Sequence, residues 1–474
     1  MKVTKPSAAH RFGGVGLLAI LAGAAAPAFA SPLDFTPLPT SAVVGSLPAD
    51  QPFLVTSTPG WTQQTLFTNA APGLYRAGGN GNSNFDQIAV NQSGPNPGRY
   101  VFTVNETGDG GVVRYDRITN TATQIVSSPI LGTNGRSLDP VRWTPWGTVI
   151  FGEEVNGGRL LEIMNPLAEP ASIQVVDRPK VGRSSMEGWD WDAQGNFYYQ
   201  DEDNGGGIYK FVPNQNAANF NPNDPSTSPL ASGQIFTLRI DQANTETRTG
   251  TGTWVALNNP DGTPINGIPD PTVNARTAGN AVNATNYRRP EDMHLMTKNG
   301  RTFLIVASTT ADSGTTNEHV YSIELLNGTS VQVRSFVDSS TIDLATGLPV
   351  DASGNFFQTP DNIAFDAWGD VWIVEDNEPG DIWRALDADG DGVAESIARF
   401  ASLSTPGAEP TGMFFNPYNP YEFYVNVQHP SDRLDRMILF TFTPQVAEVS
   451  EPATLATLSL GLLGLAGLRR RRGE

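Results

Sequence analysis

TPDNIAFDAWGDVWIVEDNEPGDIWRALDADGDGVAESIARF, residues 359–400, contains four short apolar runs separated by turns. Residues 363–365 and 371–374 form the first two, joined by Ala367-Trp368-Gly369-Asp370; residues 382–386 and 397–400 form the third and fourth. Runs this short, alternating with Gly-, Asp- and Pro-containing turns, predict one up-and-down antiparallel sheet. In its first hairpin the start of strand one lies beside the end of strand two. Asp361 and Asn362 are therefore expected close to Glu375 and Asp376.

The same plan recurs along the chain. FDQIAV (85–90), YVFTVNE (100–106) and GVVRYD (111–116) make one unit, and DPVRWTPWGTVIFGEE (139–154) with RLLEI (159–163) a second. MEGWDWDAQGNFYYQDED (186–203) with GIYKFV (207–212) makes a third, and PEDMHLMTKNGRTFLIVAST (290–309) with VYSIEL (320–325) a fourth. The opening stretch is the fifth; EPTGMFFNPYNPYEFYVNVQHP (409–430) with MILFTF (437–442) is the sixth. Six four-stranded units predict an all-β protein, a six-bladed β-propeller over residues 61–445. A flat sandwich would account for the strands but not for the repeat. Residues 31–60, rich in Pro, Ser and Thr, are expected to form an extended segment packed on the domain, or a linker. Residues 214–232 and 258–286 read as long surface loops around a strand at 233–240, either disordered or arched over one face.

The 474 residues carry a net charge of −19, which excludes nucleic acid and anionic lipid as partners and suits cations. The absence of Cys excludes disulfides and thiolate metal ligands. Lys2, Lys5 and Arg11 precede an apolar run at 15–26 that ends in Ala28-Phe29-Ala30, so residues 1–30 are expected to be a secretory signal. At the other end, Ser450-Glu451-Pro452-Ala453-Thr454 leads into an apolar run and then Arg469 to Arg472. Residues 446–474 resemble a PEP-CTERM sorting signal. That resemblance implies a Gram-negative bacterium, processing by an exosortase after transient membrane contact, and delivery to the periplasm, outer surface or exopolysaccharide matrix.

Each unit also carries polar residues where its first strand starts and its second ends. They are Asp86 with Glu106, Asp139 with Glu153 and Glu154, Glu187 with Glu202 and Asp203, Glu291 with Thr309, Asp361 with Asp376, and Glu409 with Gln428 and His429. First strands line the channel of a propeller, so these side chains converge at one mouth, where bound cations would relieve their repulsion. The plainer alternative is that strand-end acids are simply solvated. Beyond the signal, His294, His319 and His429 are the only histidines, too few for a His-rich zinc site. Oxygen ligands suit Ca²⁺, Mg²⁺, Mn²⁺ or Fe³⁺. A second cation loop is expected at Asp387-Ala-Asp389-Gly-Asp391-Gly392-Val393-Ala-Glu395. Its acids fall at positions one, three, five and nine, the Val393 carbonyl falls at seven, and Ala398 stands where an EF-hand has Glu.

Asn105-Glu106, Thr144-Pro145-Trp146-Gly147-Thr148, Glu153-Glu154, Met186-Glu187-Gly188 and Glu202-Asp203 together resemble the PhoX-type secreted alkaline phosphatases. So do Arg289-Pro290-Glu291, Pro360-Asp361-Asn362, Glu409-Pro410-Thr411-Gly412 and Gln428-His429-Pro430. The resemblance implies a phosphomonoester hydrolase whose six-bladed propeller holds iron and calcium at the channel mouth. It implies Glu187, Glu291, Asp361 and Glu409 as metal ligands, to which the strand-end pattern adds Glu106, Asp139, Glu154 and Asp203. Arg289 would bind the phosphate, and Glu187 and Asp361 would also be needed for catalysis. Asp139 stands where the family has a Cys ligand to iron, and Met186 replaces a family His. Ca²⁺ is therefore the expected cation, while Fe³⁺ would lack its thiolate. The alternative function is a non-catalytic calcium-binding propeller at the cell surface.

Overall fold

The computed structural model describes residues 33–107, 110–127, 137–241, 248–309, 319–353 and 357–444. The expected signal segment 1–30 and sorting signal 446–474 lie outside them. The propeller belongs wholly to Phe35–Glu474, the larger of two compact units.

Six four-stranded antiparallel units follow one another along the chain. Blade one is Phe85–Val90, Tyr100–Asn105, Val112–Asp116 and Thr121–Val126; blade two is Leu138–Trp143, Val149–Glu153, Leu160–Ile163 and Val175–Asp177. Blade three is Met186–Trp191, Phe197–Asp201, Ile208–Pro213 and Gly233–Ile240; blade four is Pro290–Lys298, Arg301–Ser308, His319–Leu325 and Ser330–Val337. Blade five, Pro360–Phe365, Val371–Glu375, Asp381–Leu386 and Ser396–Leu403, contains the four runs of residues 359–400 in register. In blade six, Glu409–Phe415, Glu422–Gln428 and Arg436–Phe442 are completed by an outer strand from the other end of the chain, Trp61–Thr68, with Trp61 opposite Phe442. This pairing closes the ring.

The first strand of each blade packs against the first strands of both neighbours. Gly188 and Gly412 permit that approach: a Cβ on Gly188 would lie 2.2 Å from the Met293 nitrogen, and one on Gly412 (φ +65°) 2.5 Å from the Asp86 carbonyl oxygen. Aliphatic and aromatic side chains fill the wedges between blades. Phe102, Val141 and Phe151 join blades one and two; Phe303, Ile305, Ile363 and Trp383 join four and five. Between five and six, Trp372 meets Phe423 at 5.8 Å, and Phe423 stacks on Phe440 at 4.7 Å.

The segment before Trp61 is packed on the propeller: Phe53–Val55 pairs with Ser396–Leu403 on blade five, and Phe35 contacts Trp372 and Phe400. The loop region is partly regular. Gly250–Ala256 is a ninth strand joining the outer edges of blades three and four, and Ala275–Ala281 is a short helix capped by Asn274. Residues 214–232 fold into three successive 3-10 turns, capped by Asn216, Asp224 and Ser228. No helix among the described residues is long and apolar enough to cross a membrane.

Candidate metal centre at the channel mouth

The inner hairpin of every blade has the same irregularity. Across Phe85/Ile88, Leu138/Val141, Met186/Trp189, Pro290/Met293, Pro360/Ile363 and Thr411/Phe414, three steps on the first strand oppose two on the second. Each is a one-residue β-bulge, a device that re-aims side chains. The first bulged residue is Asp86, Asp139, Glu187, Glu291 and Asp361 in blades one to five. In five blades the second strand ends in a matching way. The backbone N–H groups of Glu106, Glu154, Glu202, Thr309 and Asp376 donate to the carbonyls of Asn84, Ser137, Ser185, Arg289 and Thr359. Asn84, Ser137, Arg289 and Thr359 have positive φ. Non-glycine residues rarely adopt that conformation except where the surrounding structure enforces it.

Two rings of side chains result. Glu187, Glu291 and Asp361 each bring a carboxylate oxygen within 4.8 Å of the others. Asp139 interacts with Glu187, and Arg289 Nε lies 2.6 Å from Glu202 Oε1 and 3.2 Å from Glu291 Oε1. Gln428 Nε2 donates to Asp86 at 3.0 Å and Glu106 at 2.7 Å; Thr411 Oγ1 donates to Asp86 at 2.7 Å. His429 Nε2 meets Glu409 at 2.9 Å.

The electrostatics follow from so many acids in a buried space. Burial first, and Glu106 second, raises Asp86 to about 7. Burial with Glu202 and Glu106 pushes Glu154 up to about 11. Asp139, Glu187, Glu291 and Asp361 are held well above the ordinary carboxylate range by burial and then by neighbouring carboxylates. Burial and the nearby Asp376 raise Glu409 to about 8, and its hydrogen bond to His429 raises that imidazole to about 9. Such groups hold protons until a cation takes their place. Asp139 Oδ1 is buried without a hydrogen-bond partner. The donor set is all oxygen, so the residues present fit a hard cation.

Three site expectations need correction or refinement. Asp203 is not at the mouth position of blade three: it pairs with Arg276 and is 42% exposed, while strand alternation places Glu202 inward. Glu409 reaches the mouth from three residues before the bulge, because the bulged position of blade six is Gly412, where no side chain fits. Glu153 faces Arg159, at 2.6 Å, inside its own blade. In the second loop, Asp387, Asp389 and Glu395 bring carboxylate oxygens together. Asp391 stands outside that group and accepts from the Val393 N–H at 2.9 Å.

Deeper in the channel lies a network that the strand-end pattern could not reveal. Arg142 nitrogens meet the His294 ring at 2.9 and 3.1 Å, and His294 Nε2 lies 3.3 Å from Asp292. Burial pushes Asp292 up, but His294 and Arg142 outweigh it and hold the carboxyl below its usual range.

A family model described as alkaline phosphatase PhoX matches residues 158–431, more than half of the chain. The chain belongs to the PhoX alkaline phosphatase family. Among solved structures, PhoX from Pseudomonas fluorescens in complex with vanadate, a transition state analogue, superposes with a TM-score of 0.61. It is 16% identical, over 87% of this chain and 98% of that one. A gluconolactonase from Xanthomonas campestris gives a TM-score of 0.43 at 13% identity, over 86% of this chain and 99% of that one. No curated protein matches by sequence. The PhoX match spans Glu187, Glu202, Arg289, Glu291, Asp361 and Glu409. Asp86, Glu106, Asp139 and Glu154 precede it and are tied to the site by the bulges and by their contacts with Thr411, Gln428, Glu187 and Glu202.

Proposed function

We propose that the protein is an exported, metal-dependent phosphomonoester hydrolase working at the carboxylate mouth. The observation that carries this reading is the repeated bulge, which converges five carboxylates beside Arg289, a side chain 44% exposed and open to an anion from solvent. Glu187, Glu291, Asp361 and Asp139 are the residues to hold the cation; Ca²⁺ suits them, and Fe³⁺ would find oxygen ligands only. A bound cation polarises phosphoryl oxygens and lowers the pKa of the attacking oxygen.

The chain's own groups supply the rest. Arg289 offers a planar donor fork to phosphate oxygens and offsets the charge that develops there. Glu202 and Glu291 fix the direction of its guanidinium. His429, kept protonated by Glu409 up to pH about 9, puts a second positive charge on blade six. At net charge −19 the protein repels anions at long range, so these positive groups have to attract a phosphate ester locally.

Turnover of p-nitrophenyl phosphate by protein loaded with Ca²⁺, Fe³⁺ or both, and its loss on chelation, tests the reading. No turnover under any of these conditions would reject it. A second reading, a non-catalytic calcium-bound propeller, draws on how the Asp387 loop docks. Asn299 Nδ2 donates to the Asp389 carbonyl at 2.8 Å and Arg301 to the Gly390 carbonyl at 3.1 Å, tying blade five to blade four whatever happens at the mouth. It predicts calcium-dependent melting without turnover.

Export and surface delivery rest on residues 1–30 and 446–474. The mature protein is proposed to begin near Ser31 and to lose its tail from about Ala453 to an exosortase. Its place would be the periplasm, outer surface or matrix of a Gram-negative cell. Intact mass of natively exported protein tests this; a retained Arg469–Arg472 cluster would overturn it.

A further inference from the structure

A cleft lies at the other end of the blades from the metal centre. Trp191 closes the first strand of blade three, four residues beyond Glu187, roughly 13 Å along the strand. The cleft holds about 560 Å³ between the first hairpin turns of blades two and three and the start of the 214–232 loop. Its apolar walls are Trp146 and Trp191, both half-buried, with rings 5.7 Å apart and almost perpendicular at 88°. Its polar lining is mainly amide: Gln194, Asn196, Asn214 and Gln215. Gln194 and Gln215 are exposed and make no side-chain hydrogen bond among the described residues, so their donors and acceptors face the cleft or solvent uncommitted.

The walls are fixed before any ligand arrives. Glu162, fully buried, accepts from Trp146 Nε1 at 2.7 Å, Thr148 Oγ1 at 2.7 Å and Ser228 Oγ at 2.8 Å, and pairs with Arg178 at 2.6 Å. One carboxylate thus orients the indole and pins the loop whose Pro229 forms another wall. A wall already ordered loses little entropy on binding.

The charge of the lining selects the ligand class. No Lys or Arg lines the cleft. Its one acid, Asp192, already accepts from the Gln194 and Asn196 backbones, the Asn196 amide and the Tyr198 hydroxyl. Phosphate esters and other anions would find no cation here, unlike at the mouth. Flat indole faces beside uncommitted amides match a molecule with apolar C–H faces and a rim of hydroxyls. We infer that this cleft is a second binding site, for a neutral pyranose oligosaccharide. It does not depend on the phosphatase reading.

Cellotetraose and maltotetraose are the probes, followed by tryptophan fluorescence and calorimetry on the whole mature protein. At least one should bind with a Kd on the order of 1 mM or tighter. Chelation should leave that binding unchanged, and anionic tetragalacturonate should not compete. Trp191→Ala should abolish binding. Because Trp191 also packs on Phe197, the surface double variant Gln194→Ala/Gln215→Ala serves as the fold-neutral check and should weaken binding at least tenfold. The inference is overturned if neither neutral probe binds at about 10 mM, if the double variant binds like wild type, or if tetragalacturonate or a proline-rich peptide binds in their place.

Discussion

Glu202 and Arg289 meet at 2.6 Å across the junction of blades three and four, joining a second-strand end to the residue that opens the next inner strand. Arg289 has φ +37°, its N–H donates to the Asp203 carbonyl, and Glu291 lies on its other side at 3.2 Å. Burial works against its charge, but Glu291 and then Glu202 outweigh it and hold the guanidinium firmly protonated. Arg289→Ala should lower kcat/KM for p-nitrophenyl phosphate by about 10²- to 10³-fold, with most of the loss in kcat. Arg289→Lys keeps the charge but not the fork and should recover only part. Wild-type turnover in Arg289→Ala would remove this residue from the site.

Glu187 and Asp361 belong to the three-carboxylate group at the mouth. Glu187→Ala and Asp361→Ala should each abolish turnover and reduce the metal retained after gel filtration. Asp203→Ala should leave turnover nearly intact, since Asp203 pairs with Arg276 away from the group. Equal losses in all three variants would contradict the assignment of Glu202 as the inward residue.

Much of this was legible in the sequence because the inner hairpins repeat a short apolar run and a polar turn, which in blades three and five reads Asp-x-x-Gly. Asp192 and Asp366 cap those turns by accepting from backbone N–H groups two and four residues on. Closure by Trp61–Thr68 was not legible, since its partner Arg436–Phe442 is remote in sequence and no local pattern links them. Gly250–Ala256 escaped notice because Gly and Thr mask its alternation. At the site, recurrence identified the carboxylates, but a bulge changes register without any residue of its own. That is why Asp203 and Glu202 could not be told apart, and why Glu409 looked equivalent to Asp361.

Arg276, on the short helix in the 258–286 region, holds Asp201, whose side chain is fully buried and whose Oδ1 lies 2.8 Å from Nη2. Arg276→Ala leaves that carboxylate without its cation. Loss of one partner of such a pair destabilises by about 3 kcal/mol. Urea unfolding should show a lower midpoint with an unchanged slope. An unaltered midpoint would mean the helix is dispensable.

Metal removal should make stability fall as pH rises. Folded-state pKa values of about 7 for Asp86 and about 8 for Glu409 exceed those of an unfolded chain. The folded metal-free protein therefore keeps protons that the unfolded chain has already released. Their contribution is complete below the unfolded pKa and is lost as pH rises through the folded values. Chelated protein should melt higher at pH about 5 than at pH about 8.5. Saturating Ca²⁺ should reverse the order, adding about 2.7 kcal/mol at one hundred times its Kd. A metal-free melting temperature that rises with pH would contradict the arrangement of the acids.

The last prediction concerns Asp139, whose carboxylate interacts with Glu187 and whose Oδ1 is buried without a partner. A thiolate at this position would give ferric iron an intense visible absorption; a carboxylate is a hard ligand that binds Ca²⁺ as readily. The chain has no Cys anywhere. Wild-type protein should therefore carry more calcium than iron and lack an iron–thiolate band even when Fe³⁺ is supplied. Asp139→Cys supplies the missing sulfur in the same bulge and should develop that band with Fe³⁺. Elemental analysis and visible spectra decide both points. Stoichiometric iron with little calcium in the wild type would reject the calcium-dominated centre. An Asp139→Cys variant that binds iron yet stays colourless would place the metal out of reach of this position.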